Sequence, residues 1–202
     1  MFGKHLREFQ RYIRNFHYEI SPQGIYFAKA HAVVRGAYEH WVTGWESQRA
    51  IDHNIVPDQG LTHMLAVALK GPAGIGTQIT TWYLMLHSGS GVPAATLTAA
   101  NYNTTLSEIT SGAEGYSEAT RIAWVGDAVD TVNTEVVNDA SPAMFTIVTA
   151  SSLAVNGAGL VSVSTKGSTA GTLISAGKFT ATRTLSNTDQ FNLKYKVDLD
   201  AV

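Results

Sequence analysis

The side chains in this chain that could do chemistry are seven histidines, sixteen carboxylates and many serines, and there is no cysteine. Disulfide frameworks, thiol catalysis and cysteine-ligated zinc or iron–sulfur centres are therefore excluded. Imidazole is the commonest metal ligand, and a fold could bring together His31 with His40, His53 with His63, or His63 with His87. None of these pairs has HxH or HxxxH spacing and no carboxylate stands at a ligand offset, so no metal is expected. A serine–histidine–aspartate triad needs no sequence proximity, but the GxSxG elbow that presents such a serine does not occur. Paired carboxylates for glycoside hydrolysis would come from Glu108, Glu114, Glu118, Asp127 and Asp130. Four of these five stand in or beside expected loops, where a carboxylate is ordinarily solvated.

Two glycine-rich runs imitate phosphate-binding loops. Gly71, Gly74 and Gly76 lead from an expected helix into an expected strand, the reverse of the order that aims a helix N-terminus at a phosphate. In Gly171 to Lys178 the spacing is one residue too long for a P-loop, and Phe179 replaces the metal-binding Ser or Thr. No cofactor is expected, and the chain reads as non-enzymatic. Among the tryptophans, Trp41, Trp45, Trp82 and Trp124 could form a sugar or base platform. Trp82 and Trp124 sit in apolar strand sequence and are expected in the core. Trp45, at an expected hairpin tip beside Glu46 and Gln48, is instead a candidate contact residue for a partner subunit.

The elements that must position these residues follow from composition and period. In 202 residues, charged side chains make up 15% and the net charge is -2, against roughly 25% charged in ordinary soluble domains. Thr, Ser, Ala, Gly and Asn fill the gap, which suits β-structure whose neutral surface is covered by neighbours. A nucleic-acid partner, which requires many phosphates to be neutralised, does not fit. Residues 1–16 lack the apolar run of a secretory signal. The weakly polar stretch Leu61 to Leu69 is too short for the ~20 residues of a membrane helix, so no membrane partner is expected.

Phe2, Leu6, Phe9, Ile13 and Phe16 recur at four, three, four and three residues, one stripe of an amphipathic helix with Arg7, Arg11 and Arg14 on its other side. Glu8 and Glu19 dilute that basic face, which argues against a membrane-surface helix. Ser21-Pro22-Gln23-Gly24 breaks the pattern, giving an N-terminal amphipathic helical arm over 1–24 and a β domain over 25–202. Within the latter, 25–42 and 48–56 read as a hairpin turning at 43–47. Pro57 to Gly60 opens a helix near 58–70 whose apolar face is Leu61, Met64, Leu65, Ala68 and Leu69. Residues 80–87 read as a buried strand, and Ser88 to Gly115 as a polar surface excursion. Strands follow at 120–125, 131–137, 144–150, 158–165, 172–184 and 191–199, the last alternating Phe191, Leu193, Tyr195, Val197 and Leu199 against Asn192, Lys194, Lys196 and Asp198. Many short strands and a single internal helix imply a mainly β fold, an antiparallel β-sandwich or jelly-roll-like barrel.

The run His53 to Leu61 opening a short helix, Thr80 to Leu86, Tyr116 to Arg121 with Trp124, and Gly171 to Ile174 with Lys178 and Phe179 resemble landmarks of small virion proteins of tailed bacteriophages. The resemblance covers roughly residues 30–202 and leaves out the arm. It implies a structural protein of the virion, assembled in the host cytoplasm, that decorates or cements the capsid shell or caps the head–tail junction. Its partners would be major capsid, neck or tail subunits and further copies of itself. On this reading the arm docks in a groove by burying Phe2, Leu6, Phe9, Ile13 and Phe16, gaining on the order of ten kcal/mol before ordering costs. Arg7, Arg11, Arg14 and Trp45 complete the expected partner contacts. The alternatives are a tail or fibre-anchoring, receptor-binding module that uses Ser88 to Gly115 on a host glycan, and a small β-sandwich hydrolase or lectin.

Overall fold

The computed structural model describes residues 18–20, 26–28, 32–70, 76–128 and 134–201. The chain divides into two compact units, residues 1–33 with 200–202 and residues 34–199. In the first, β1 (Tyr18–Ile20) pairs antiparallel with β2 (Tyr26–Ala28). The stripe Phe2, Leu6, Phe9, Ile13 and Phe16, together with Arg7, Arg11 and Arg14, lies outside the described residues.

The remaining elements are β3 (Ala32–Val42), β4 (Ala50–His53), α1 (Asp58–Leu69), β5 (Trp82–His87), α2 (Ala99–Leu106), β6 (Gly115–Tyr116), β7 (Ile122–Trp124), β8 (Glu135–Val137), β9 (Ala143–Val148), β10 (Leu153–Val161), β11 (Leu173–Leu185) and β12 (Gln190–Ala201). They build two antiparallel sheets, one ordered β11-β10-β5-β7 and the other β4-β3-β12-β9-β6, with β8 also paired to β12. The fold is mainly β and has the two sheets of a β-sandwich. Tyr38 of β3, Leu84 and Leu86 of β5, Phe145 and Ile147 of β9, and Phe191, Leu193 and Tyr195 of β12 meet in the core between the sheets. The alternation read in the last strand therefore holds where it matters: Phe191, Leu193 and Tyr195 point inward. β10 begins earlier than expected, at Leu153, and runs through Asn156-Gly157 with a register shift against β11.

Three readings are corrected. The described residues contain a second helix, α2, in the passage expected to be a surface excursion. Met85, Val161, Leu173 and Ala176 form a second apolar cluster with Leu97, Ala99, Tyr102 and Leu106. The four-stranded sheet is therefore buried on both faces, which is why Trp82 to Leu86 is almost unbroken apolar sequence. α2 survives its weak composition because Thr98 and Asn101 cap it reciprocally: the Thr98 hydroxyl accepts from the Asn101 N–H, and Asn101 Oδ1 accepts from the Thr98 N–H at 2.7 Å. Ser107, in the left-handed region at φ 57, ends it.

The second correction concerns α1. The helix is where the sequence puts it, but Gly60, His63 and Ala66 are its buried residues, while Leu61, Leu65 and Leu69 face outward. A Cβ on Gly60 would lie 3.0 Å from the Ile174 backbone. The helix is laid onto β11 through its smallest residues, and that close approach turns the leucines away. Gln59 holds the joint: its side-chain oxygen accepts from the Ala99 and Leu173 N–H groups, each at 2.9 Å, and its amide donates to the Gly171 carbonyl.

Glu108, read as solvated, is buried against Arg121. Arg121 donates Nε to Glu108 Oε1 and Nη2 to Oε2, both at 2.7 Å, and the remaining donors reach the Val163 and Ser168 carbonyls. The Gly167 N–H also donates to Glu108 Oε2 at 3.0 Å. One bidentate pair thus ties the end of α2, the approach to β7 and the β10–β11 loop together. Removing one partner strands a buried charge, so Arg121→Met and Glu108→Gln should each cost about 3–5 kcal/mol in chemical denaturation. The double variant should cost clearly less than the sum. Additive losses would mean the two groups act separately.

Candidate functional site

Three polar groupings contain the residue types that catalysis uses, and in each the geometry shows what they do. In the first, β3 and β4 place His40 against Asp52, with His40 Nε2 2.8 Å from Asp52 Oδ2. Arg183 Nε donates to His40 Nδ1 at 3.1 Å, so Nδ1 is the acceptor and Nε2 carries the proton that Asp52 receives. Asp52 Oδ1 accepts from both the N–H and the hydroxyl of Thr180 on β11. A histidine oriented by an aspartate is half of a nucleophile-activating set. Here, however, the second imidazole nitrogen is taken by a guanidinium, the ring stacks on Phe179 at 3.9 Å, and both partners are buried. Burial holds His40 below its usual value, with the Asp52 hydrogen bond opposing and Arg183's charge adding. Burial pushes the Asp52 carboxyl up, but the hydrogen bonds from Thr180 and His40 outweigh it and leave the group below the usual carboxylate range. The cluster clamps β4 to the edge of β11, next to the paired Ile55–Ala176 backbone hydrogen bonds.

The second grouping sits under α2. His87 Nδ1 is 2.7 Å from the Tyr102 hydroxyl, and both residues are buried. Burial and the nearby Lys178 charge push His87 down to about 4. His63 belongs to neither grouping and meets the edge of Trp82 at 5.8 Å. Of the histidines paired from sequence, His40 and His87 are engaged by Asp52 and Tyr102, and His31 lies outside the described residues. Among the described residues no three His, Asp or Glu side chains gather where they could hold a metal ion.

The third grouping is the row of acidic residues. Besides Glu108, Glu114 accepts from the Thr149 hydroxyl and the Ala150 N–H, Glu118 accepts from the Thr146 N–H, and Asp127 accepts from the Asp139 and Ala140 N–H groups. These carboxylates organise loops and strand ends by taking backbone donors. Asp130 lies outside the described residues.

The tryptophans separate as their positions suggest, with one refinement. Trp45 stands at the β3–β4 turn and is 59% exposed. Trp41 is buried beneath Arg49, whose guanidinium lies 4.1 Å from the ring centre. Trp82 and Trp124 are directly opposed on β5 and β7 and pack on the edge of the core, only partly buried. Sequence reasoning missed the outward stripe on α1, where Leu65 is 60% and Leu69 79% exposed. It also missed Gln59 and Arg121. The spacing of Thr98 to Asn101, with Ala99, Tyr102 and Leu106 at i, i+3 and i+7, was the available signal for α2.

The described surface thus presents apolar side chains on rigid elements: Trp45 on a hairpin, Ile51 on β4, and Leu61, Leu65 and Leu69 on α1. No described helix is long and apolar enough to cross a membrane. No protein-family model and no curated protein matches the chain.

The buried histidines set an acid limit. His87 binds its proton in the unfolded chain near pH 6.5 and in the folded chain only near 4. Stability is therefore complete above pH 6.5 and falls as pH drops towards 4, by about 3 kcal/mol. His40 adds a loss of the same sign. Urea melts between pH 7 and 4.5 should show this decline, and His87→Gln should flatten it. A slope unchanged in that variant would remove His87 as its source.

Proposed function

We propose that this chain is a non-enzymatic structural protein of a tailed-bacteriophage virion, one that decorates or cements the capsid shell or caps the head–tail junction. The observation that carries the reading is the division of labour in the described residues. His40, Asp52, His87, Glu108 and Arg121 are engaged by the fold, whereas large apolar side chains stand exposed on a hairpin tip and a helix face. Exposed aromatics on rigid elements are what protein interfaces use as anchors, because little entropy is lost in burying them. The low charge of the chain supports the same reading, since a neutral Thr/Ser/Gly surface is readily covered. The resemblance to virion proteins supplies the biological setting.

In this proposal the arm carrying Phe2, Leu6, Phe9, Ile13 and Phe16 docks on a neighbouring subunit, with Arg7, Arg11 and Arg14 facing acidic groups at the rim. Trp45 adds a second contact, and repeated copies around a symmetric shell multiply weak contacts into stable attachment.

The test is binding to purified phage particles by co-sedimentation, with folding monitored by circular dichroism. Deletion of residues 1–20 should abolish co-sedimentation while the sandwich stays folded, and Trp45→Ala should weaken binding roughly tenfold or more, as loss of an anchor does. Folded variants that sediment with particles as well as the full chain does would refute the proposal.

A further inference from the structure

Between α1, the β5–β7 pair and β12 lies a cavity of about 340 Å³. Its walls are Met64 and Val67 of α1, the two opposed rings Trp82 and Trp124, Ile174 of β11 and Val197 of β12. Among the described residues its lining contains no Lys, Arg, Asp or Glu, and the exposed Gln78 stands at its margin. The walls are fixed in place. Trp124 Nε1 donates to Asn138 Oδ1 and to the Tyr195 carbonyl, both at 3.1 Å, which locks the indole, and His63 braces the Trp82 ring from the side. Such a site is preorganised, so little ordering cost opposes a ligand.

We infer that this cavity binds a small uncharged ring compound, of one or two fused aromatic or alicyclic rings, with a single hydrogen-bonding group directed to Gln78. The chemistry of the walls narrows the class. A charged group would be desolvated with no counter-charge in the lining, and a saccharide would bring several hydroxyls against Met64, Val67, Ile174 and Val197, where none finds a partner. A ring face, by contrast, gains from two indoles, and offset or edge-on aromatic contacts add to the burial. At an interior packing density near 0.75 the space holds roughly 250 Å³ of van der Waals volume, ample for two fused rings. The volume also falls within the roughly 300–1,000 Å³ range of ordinary ligand pockets. This inference stands apart from the assembly reading, since it uses no arm residue, Trp45 or partner subunit.

The test uses 2-naphthol as the probe and 2-naphthoate, its anionic counterpart of similar shape, as the control. With the full chain and methyl-labelled Met and Ile, 2-naphthol should shift the Met64, Ile79 and Ile174 resonances saturably, and 2-naphthoate should bind at least tenfold more weakly. Val67→Trp and Val197→Trp, which fill the cavity from opposite walls, should lose the calorimetric binding signal, with thermal melts showing which of them folds. Absence of saturable shifts in the unaltered chain overturns the inference, as would be seen if the cavity instead receives a protein side chain. Equal affinity for naphthoate, or undiminished binding in a folded filled variant, overturns it as well.

Discussion

The structure depends on one constraint, which is that its four-stranded sheet is apolar on both faces and both must be covered. β5 shows the demand most plainly, because Leu84 and Leu86 enter the core between the sheets while Met85 points the other way. The six-stranded sheet covers the first face. The second face is covered by chain that looks unsuited to the task, a run of Ala, Thr, Asn and Gly that yields only Leu97, Ala99, Tyr102 and Leu106 to the cluster. Four side chains suffice because they are pinned: Thr98 and Asn101 cap the helix, Gln59 ties its first turn to α1 and β11, and the Glu108–Arg121 pair secures its far end. A buried ion pair is weak evidence for net stability. Its role here is geometric, fixing which loops meet over the sheet.

The same constraint decides where the polar chemistry goes. Long loops and covered edges leave many backbone donors and acceptors to be paired, and the carboxylates and histidines of this chain are drawn into pairing them. Glu114, Glu118 and Asp127 each take backbone N–H groups, and Asp52 takes one at the edge of β11. Side chains committed in this way are held by the backbone they satisfy, and that fixes loops and strand ends. Among the groups the described surface presents are the hairpin tip at Trp45 and the leucine stripe of α1. A surface of that kind interacts by being covered, and it gives the assembly proposal its physical content.

Much of this was readable in the chain. The strands from Trp82 and Gln190 and the helix at Asp58 lie where the sequence puts them, because each has a strong pattern: an unbroken apolar run, an alternation and a helical repeat. What could not be read was which face of an element its neighbours would require. Leu61, Leu65 and Leu69 make the more hydrophobic side of α1, yet the helix packs through Gly60 and Ala66, since contact with the β11 backbone needs small residues more than large ones. Glu108 was misread for a related reason. Its burial depends on Arg121, 13 residues away, and on a loop from the other end of the sheet, and no local pattern encodes that meeting. Periodicity reports the preference of one element, whereas burial is settled between elements.

The central claim is that the outward apolar surface exists to be covered within a particle. It is tested most directly by the amount of this chain in purified virions, measured by quantitative mass spectrometry against the major shell protein. The account predicts a fixed stoichiometric ratio that survives repeated purification, high for a shell decoration and low for a junction cap. A chain that is expressed and folded in infected cells but missing from the purified particles would contradict it.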